Sequence, residues 1–94
     1  MVYNKRIGEA NMKVLKFYGE WCGPCKALTK IIENAGDKIQ VEVEPVDIDS
    51  NIMMAQEFKI RSVPTMVLVD DNNNELKRHV GLVNEQQLLQ FLKG

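Results

Sequence analysis

No apolar run in this chain of 94 residues approaches the roughly 20 residues that cross a bilayer, so no spanning helix is expected. Charge of one sign is equally scarce. Twelve Lys and Arg stand against thirteen Asp and Glu, with neither sign gathered into a run, which argues against nucleic acid or a membrane surface as partner. The first twelve residues carry Asn4, Lys5, Arg6, Glu9 and Asn11 without an apolar core, so they read as neither signal peptide nor anchor. The default compartment is then the reducing cytoplasm. Cysteine is nearly absent, with only Cys22 and Cys25, and His79 is the single histidine. These three side chains cannot complete a tetrahedral metal site, so neither a metal nor a cofactor is expected. Asp47 and Asp49, at a strand end before a helix, read as solvated or capping groups. Internal repeats, low-complexity stretches and linkers are missing too, and 45% hydrophobic content suits one core, hence a single domain over 1–94.

What is present alternates strand and helix. Lys13 to Tyr18 reads as a strand that Gly19 ends. From Cys22 onward Leu28, Ile31, Ile32 and Ala35 recur at helical spacing, with Gly36 as a stop. Ile39 to Val46 sets Ile39, Val41 and Val43 against Gln40, Glu42 and Glu44, a strand with one wet face, and Pro45 places it at a sheet edge. A short helix is expected over Asn51 to Lys59, capped by Asn51 or Ser50, with Ile52, Ala55 and Phe58 turned inward and Met53 and Met54 as packing fillers. After Pro64, the runs Thr65 to Val69 and Leu76 to Val80 form a hairpin across the polar turn Asp70 to Asn74, and Gly81 ends it. Asn84 and Gln87 cap a final helix that buries Leu88, Leu89, Phe91 and Leu92. The order β-α-β-α-β-β-α implies an α/β fold, a central mixed sheet flanked by helices. His79, on a hairpin strand without an acid or nucleophile partner, reads as a surface residue.

The chemistry concentrates in Trp21-Cys22-Gly23-Pro24-Cys25. Cysteines at i and i+3 in a first helical turn are neighbours on one side, close enough to cycle between dithiol and disulfide. Cys22, at the helix N-terminus, faces unpaired N–H groups and the macrodipole, which favour its thiolate and make it the attacking sulfur. Cys25, one turn deeper, is expected to resolve the mixed disulfide. Pro24 suits a first turn, where its missing N–H costs little, and Gly23 leaves room for a protein substrate. Trp21 keeps two readings open, packing and partner contact.

The string WCGPC after an apolar strand, Val63-Pro64-Thr65 about forty residues on, and Gly81 after the hairpin resemble the thioredoxin family over roughly Lys13 to Gly94. The resemblance implies reduction of protein disulfides through Cys22 and Cys25, regeneration by a thioredoxin reductase, and a monomer. It also implies a cis peptide bond before Pro64, a substrate groove lined by Val63, Pro64 and Gly81, Trp21 shielding the cysteines, and Lys26 starting the exposed helix face. Three departures accompany it. Lys16 stands where the family has a buried aspartate beneath the second cysteine. Lys30 stands where the family kinks its first active-site helix with proline. Residues 1–12 are too short for the family's N-terminal strand and helix, since a parallel crossover needs about a dozen residues.

Gly23, Pro24 and Lys16 are therefore the expected tuners of redox potential, Lys16 either snorkelling its ammonium to water or holding it near the sulfurs. Two other functions compete: a non-catalytic protein-binding subunit using the same surface, and a glutaredoxin-like enzyme using glutathione.

Overall fold

The computed structural model describes residues 12–93; the N-terminal extension expected over 1–12 lies, but for Met12, outside the described residues. Strand β1 (Lys13–Tyr18), helix α1 (Gly23–Ala35), strand β2 (Glu42–Asp47), helix α2 (Ile52–Glu57), strands β3 (Thr65–Val69) and β4 (Glu75–Val80) and helix α3 (Glu85–Leu92) follow in the expected order. The strands form one mixed sheet in the order β2-β1-β3-β4, with β1 parallel to β2 and antiparallel to β3, and β4 antiparallel to β3.

Strands β1 and β3 are central because both faces are covered: Val14 to Phe17 of β1 and all five residues of β3 are buried. Alternation along β1 then divides the core. Val14 joins Leu28 and Ala35 of α1, Met66 and Leu68 of β3, and Val83 and Leu88 at α3. Leu15 and Phe17 point the other way, to Val46, Phe58, Val67 and Val69. Pro45 is exposed on edge strand β2, opposite Lys16, where a missing N–H breaks no ladder.

Helix α1 ends at Gly36, whose φ of 55° is the left-handed region that favours glycine. Helix α3 opens on the expected capping box: the Asn84 side chain accepts the Gln87 N–H at 2.8 Å, and the Gln87 side chain accepts the Asn84 N–H at 2.9 Å.

Local expectations are corrected in β2 and α2. Strand β2 begins at Glu42, not Ile39, because a 3-10 turn over Gly36–Lys38 ties the Ile39 N–H to the Gly36 carbonyl, and pairing with β1 starts only at Lys13 and Glu42. Helix α2 stops at Glu57, since Lys59 adopts a φ of 55° while the Ile60 N–H reaches back to the Ala55 carbonyl and the Lys59 N–H to Gln56. That is a Schellman termination built on lysine where glycine is usual. Asn51 occupies the N-cap position of α2 without a side-chain cap bond. In so short a helix the inward pair is Met54 and Phe58, four apart, so Ile52 is 57% and Met53 83% exposed; Met54 alone of the two methionines fills core.

Candidate functional site

The turn from β1 into α1 places both cysteines. The Cys22 N–H donates to the Gly19 carbonyl at 3.1 Å, closing the turn, and the Lys26 N–H returns to the Cys22 carbonyl at 3.2 Å as the first helical bond. Cys22 is the N-cap of α1, and Pro24 sits in the first turn. The Cys22 sulfur accepts the Cys25 N–H at 3.1 Å, which makes the side chain its own helix cap. Cys22 and Cys25 form a disulfide with Cα atoms 5.2 Å apart. Their exposures, 4% and 3%, are alike, so burial does not distinguish the sulfurs. What distinguishes them is the backbone donor aimed at Cys22 and the position of Cys22 at the helix terminus, both of which favour negative charge on that sulfur once the bond opens.

A second segment closes over the pair. The Cys22 sulfur lies 3.8 Å from the Val63 carbonyl oxygen, and the Val63-Pro64 peptide bond is cis, as the family resemblance implies. The Thr65 hydroxyl, buried, donates to the Ser62 carbonyl at 2.7 Å and fixes the bend. The Pro64 carbonyl accepts the Gly81 N–H at 2.8 Å, and Gly81 has a φ of 103°. The site therefore places Val63 beside Cys22 and ties Gly81 to the adjoining Pro64. A side chain at Gly81 would meet nothing within 4 Å, so it is conformation rather than space that calls for glycine there. Gly23 and Pro24 are exposed on the outer surface of the turn, and a Cβ at Gly23 would likewise meet open space.

Trp21 is 67% exposed, its indole N–H donating to the Asp49 carboxylate at 3.0 Å and its ring lying against Gly19. Neither partner is announced by the sequence, in which Gly19 reads as a strand stop and Asp49 as a solvated or capping acid. Asp47 caps no helix: its carboxylate accepts the Asp49 N–H at 2.9 Å in the turn before α2, whose N-cap is Asn51.

Beneath Cys25 lies Lys16, 7% exposed, its ammonium donating to the Thr29 hydroxyl at 2.6 Å and standing 5.7 Å from the centre of the Tyr18 ring. Thr29 in turn donates to the Cys25 carbonyl at 3.1 Å. The ammonium is therefore anchored to α1 through the Thr29 hydroxyl. Burial lowers the Lys16 pKa from the ordinary lysine value, with a smaller opposing pull from Glu33. Thr29 was missed, although its place four residues after Cys25, on one side of α1, was the available signal. A hollow of about 240 Å³ lined by Tyr18, Gly19, Glu20, Cys25, Lys26 and Thr29 opens beside this group. His79 lies apart, half-buried and 6.4 Å edge-on from the Phe91 ring, so it is packed against α3 rather than a free surface group.

A family model described as thioredoxin matches residues 2–94 of this chain. The chain is 37% identical to a thioredoxin of Rickettsia conorii over 93 residues, covering 96% of this chain and 88% of that protein. With a thioredoxin of Chlamydia trachomatis it shares 36% identity over 84 residues, 88% of this chain and 81% of the other. Among solved structures it resembles a mutant thioredoxin from Halobacterium salinarum, with a TM-score of 0.80 and 30% identity across 92% of this chain and 75% of that one.

Proposed function

The chain belongs to the thioredoxin family and is a thiol-disulfide oxidoreductase, and from that premise we propose that it works in the reducing direction on protein disulfides. The observation that carries the reading is the Cys22 sulfur at the α1 N-terminus, accepting the Cys25 N–H and bordered by the Val63 carbonyl. In the dithiol form the Cys22 thiolate attacks one sulfur of a substrate disulfide. A Cys22–substrate bond forms as the substrate bond breaks, and the departing substrate sulfur takes up a proton. Cys25, having lost its own proton, attacks the Cys22 sulfur, so that the internal disulfide forms and the second substrate thiol is released. Two electrons have then passed from protein to substrate. A thioredoxin reductase is the proposed donor that restores the dithiol.

Trp21, Val63, Pro64 and Gly81 hold the substrate segment in this reading. Supporting it are the exposure of Trp21, the Val63 carbonyl beside the Cys22 sulfur and the bond from Gly81 to Pro64. Gly23 and Pro24, both exposed, set the potential together with Lys16. The working unit is a monomer, and the compartment is the cytoplasm, where a cysteine pair stays reducible. Among the described residues no helix is long and apolar enough to cross a membrane.

The test is insulin reduction by the oxidised protein with a thioredoxin reductase and its reductant. Turnover is the expected result. Failure there, paired with rapid cleavage of glutathione mixed disulfides, would replace the reading by a glutaredoxin-like one. In parallel, Cys25→Ser is expected to accumulate covalent complexes with protein substrates, because attack remains while resolution is lost. A Cys25→Ser protein that traps nothing with Cys22 intact would remove the two-step mechanism.

A further inference from the structure

The apolar stripe under α1 is interrupted once by charge, at Lys16. Its partners on the adjacent strands carry none: in register it stands opposite Pro45 on β2 and Met66 on β3. From its own strand it meets the Tyr18 ring, and from α1 the Thr29 hydroxyl, with Glu33 as the acidic residue that acts on it. Glu20 and Lys26 stand at the adjoining hollow. In the disulfide form, then, a partly desolvated cation is tied through Thr29 to the backbone of Cys25, with a hydroxyl and a ring for company and, among the described residues, no carboxylate hydrogen-bonded to it. Such an arrangement is unfavourable for the cation unless a negative group arrives in another state of the protein.

Cys25 supplies one. Opening the disulfide converts a neutral sulfur into a thiol that can ionise, and the Thr29 hydroxyl already ties Lys16 to the residue that carries it. We propose that Lys16, seated by Thr29, is the counter-charge for the Cys25 thiolate, so that it stabilises the dithiol form and speeds the attack of Cys25 on Cys22. The inference rests on the thiol-disulfide reading above and names the group that tunes its resolving sulfur. Cys25 must shed a proton before it can attack, and Cys25 and Thr29 both border the adjoining hollow. The ammonium itself need not move or exchange its proton; it acts as a positioning residue by placing a positive charge where negative charge develops. The consequence has a definite sign. Favouring thiolate favours the reduced protein, which makes the disulfide a better oxidant than the same fold without the charge.

The experiment equilibrates wild type, Lys16→Met and Thr29→Val with glutathione at one pH and counts the oxidised fraction. Methionine keeps the length and apolar stem and removes the charge; valine keeps the shape of threonine and removes the seat. Lys16→Met is expected to shift the equilibrium about tenfold toward the disulfide, a potential lower by about 30 mV, with a smaller shift in the same direction for Thr29→Val. In a Cys22→Ser background, ultraviolet titration of the lone Cys25 should move to higher pH when Lys16 is replaced by Met, a change that a purely structural lysine would not produce. An unchanged or raised potential in folded Lys16→Met overturns the proposal, as does a Cys25 titration that stays where it was. Failure of the functional reading looks different: the wild-type protein itself would then not exchange with glutathione or reduce any disulfide.

Discussion

Strand β1 has two faces, and they part company within two residues. On the α2 side Leu15 and Phe17 are fully buried among Val46, Phe58, Val67 and Val69, the Phe17 and Phe58 rings 5.7 Å apart and tilted. On the α1 side Val14 enters an equally apolar cluster, and the next residue on that face is Lys16. Past Lys13, which pairs with Glu44 where the strand begins, the first face is core, whereas the second turns polar at Lys16. The division is informative because a chain minimally in conflict with its fold breaks the apolar rule only where something else demands it. The α2 face is there for stability. The α1 face carries stability at its Val14 end and redox chemistry at its Lys16 end.

The sharpest way to break this division is to damage each face and ask what fails. Phe17→Ala is expected to cost about 3–5 kcal/mol, the usual range for emptying a buried phenylalanine site, read as a fall in the urea midpoint. Its glutathione equilibrium, measured where the variant is still folded, should match wild type. A potential displaced as far as that of Lys16→Met would mean that the α2 face also sets the chemistry, and the division would fail.

The second probe is the pH dependence of stability of the disulfide form. Burial holds the Lys16 pKa below its unfolded value of 10.5, so between the folded and unfolded values the unfolded chain binds more protons than the folded one. Stability therefore carries the full penalty of the buried charge at pH below the folded pKa, and recovers as pH rises from there toward 10.5. Lys16→Met should lack this recovery and be at least as stable as wild type at neutral pH. Urea unfolding at a series of pH values decides it: a rising limb that survives in Lys16→Met would show that another group is responsible.

The strands, α1, the hairpin and the α3 capping box were all legible in the sequence, because each is written in local periodicity or in a cap residue at a fixed offset. The cysteine pair and Val63-Pro64 were legible for the same reason, as short strings. What the sequence hid depends on groups that meet only after folding. Lys59 terminates α2 without the glycine that announces a Schellman turn, so the helix read two residues too long. Ile52 matched a helical apolar spacing, yet in a helix of six residues the packed positions are Met54 and Phe58. Lys16 to Thr29 spans thirteen residues and Trp21 to Asp49 spans twenty-eight, separations that no window on the sequence joins. The buried state of Lys16 was the hardest to read, since a lysine beside an apolar face usually keeps its ammonium in water.

Gly19 offers the smallest expected effect and the finest test of where the structural part of the site ends. It is buried under the indole of Trp21, and a Cβ built there would lie 2.6 Å from Cε2 and 2.9 Å from Nε1. In Gly19→Ala one of the two must give way. The backbone is held by the Cys22 N–H on the Gly19 carbonyl, whereas Trp21 is 67% exposed and free on its outer side, so the ring is what moves. Moving it breaks the indole bond to Asp49, but water replaces a partner lost at the surface, and the net cost should stay below about 1 kcal/mol. Trp21 is the only tryptophan, so its fluorescence reports the displacement directly. The expected outcome is a urea midpoint near wild type, emission shifted toward that of a solvated indole, and a raised KM for insulin with little change in the glutathione equilibrium. Asp49→Ala should reproduce the emission change without any clash. A shifted potential in either variant would instead place Trp21 among the residues that tune the disulfide, and the line between substrate contact and redox tuning would have to be drawn on the far side of the indole.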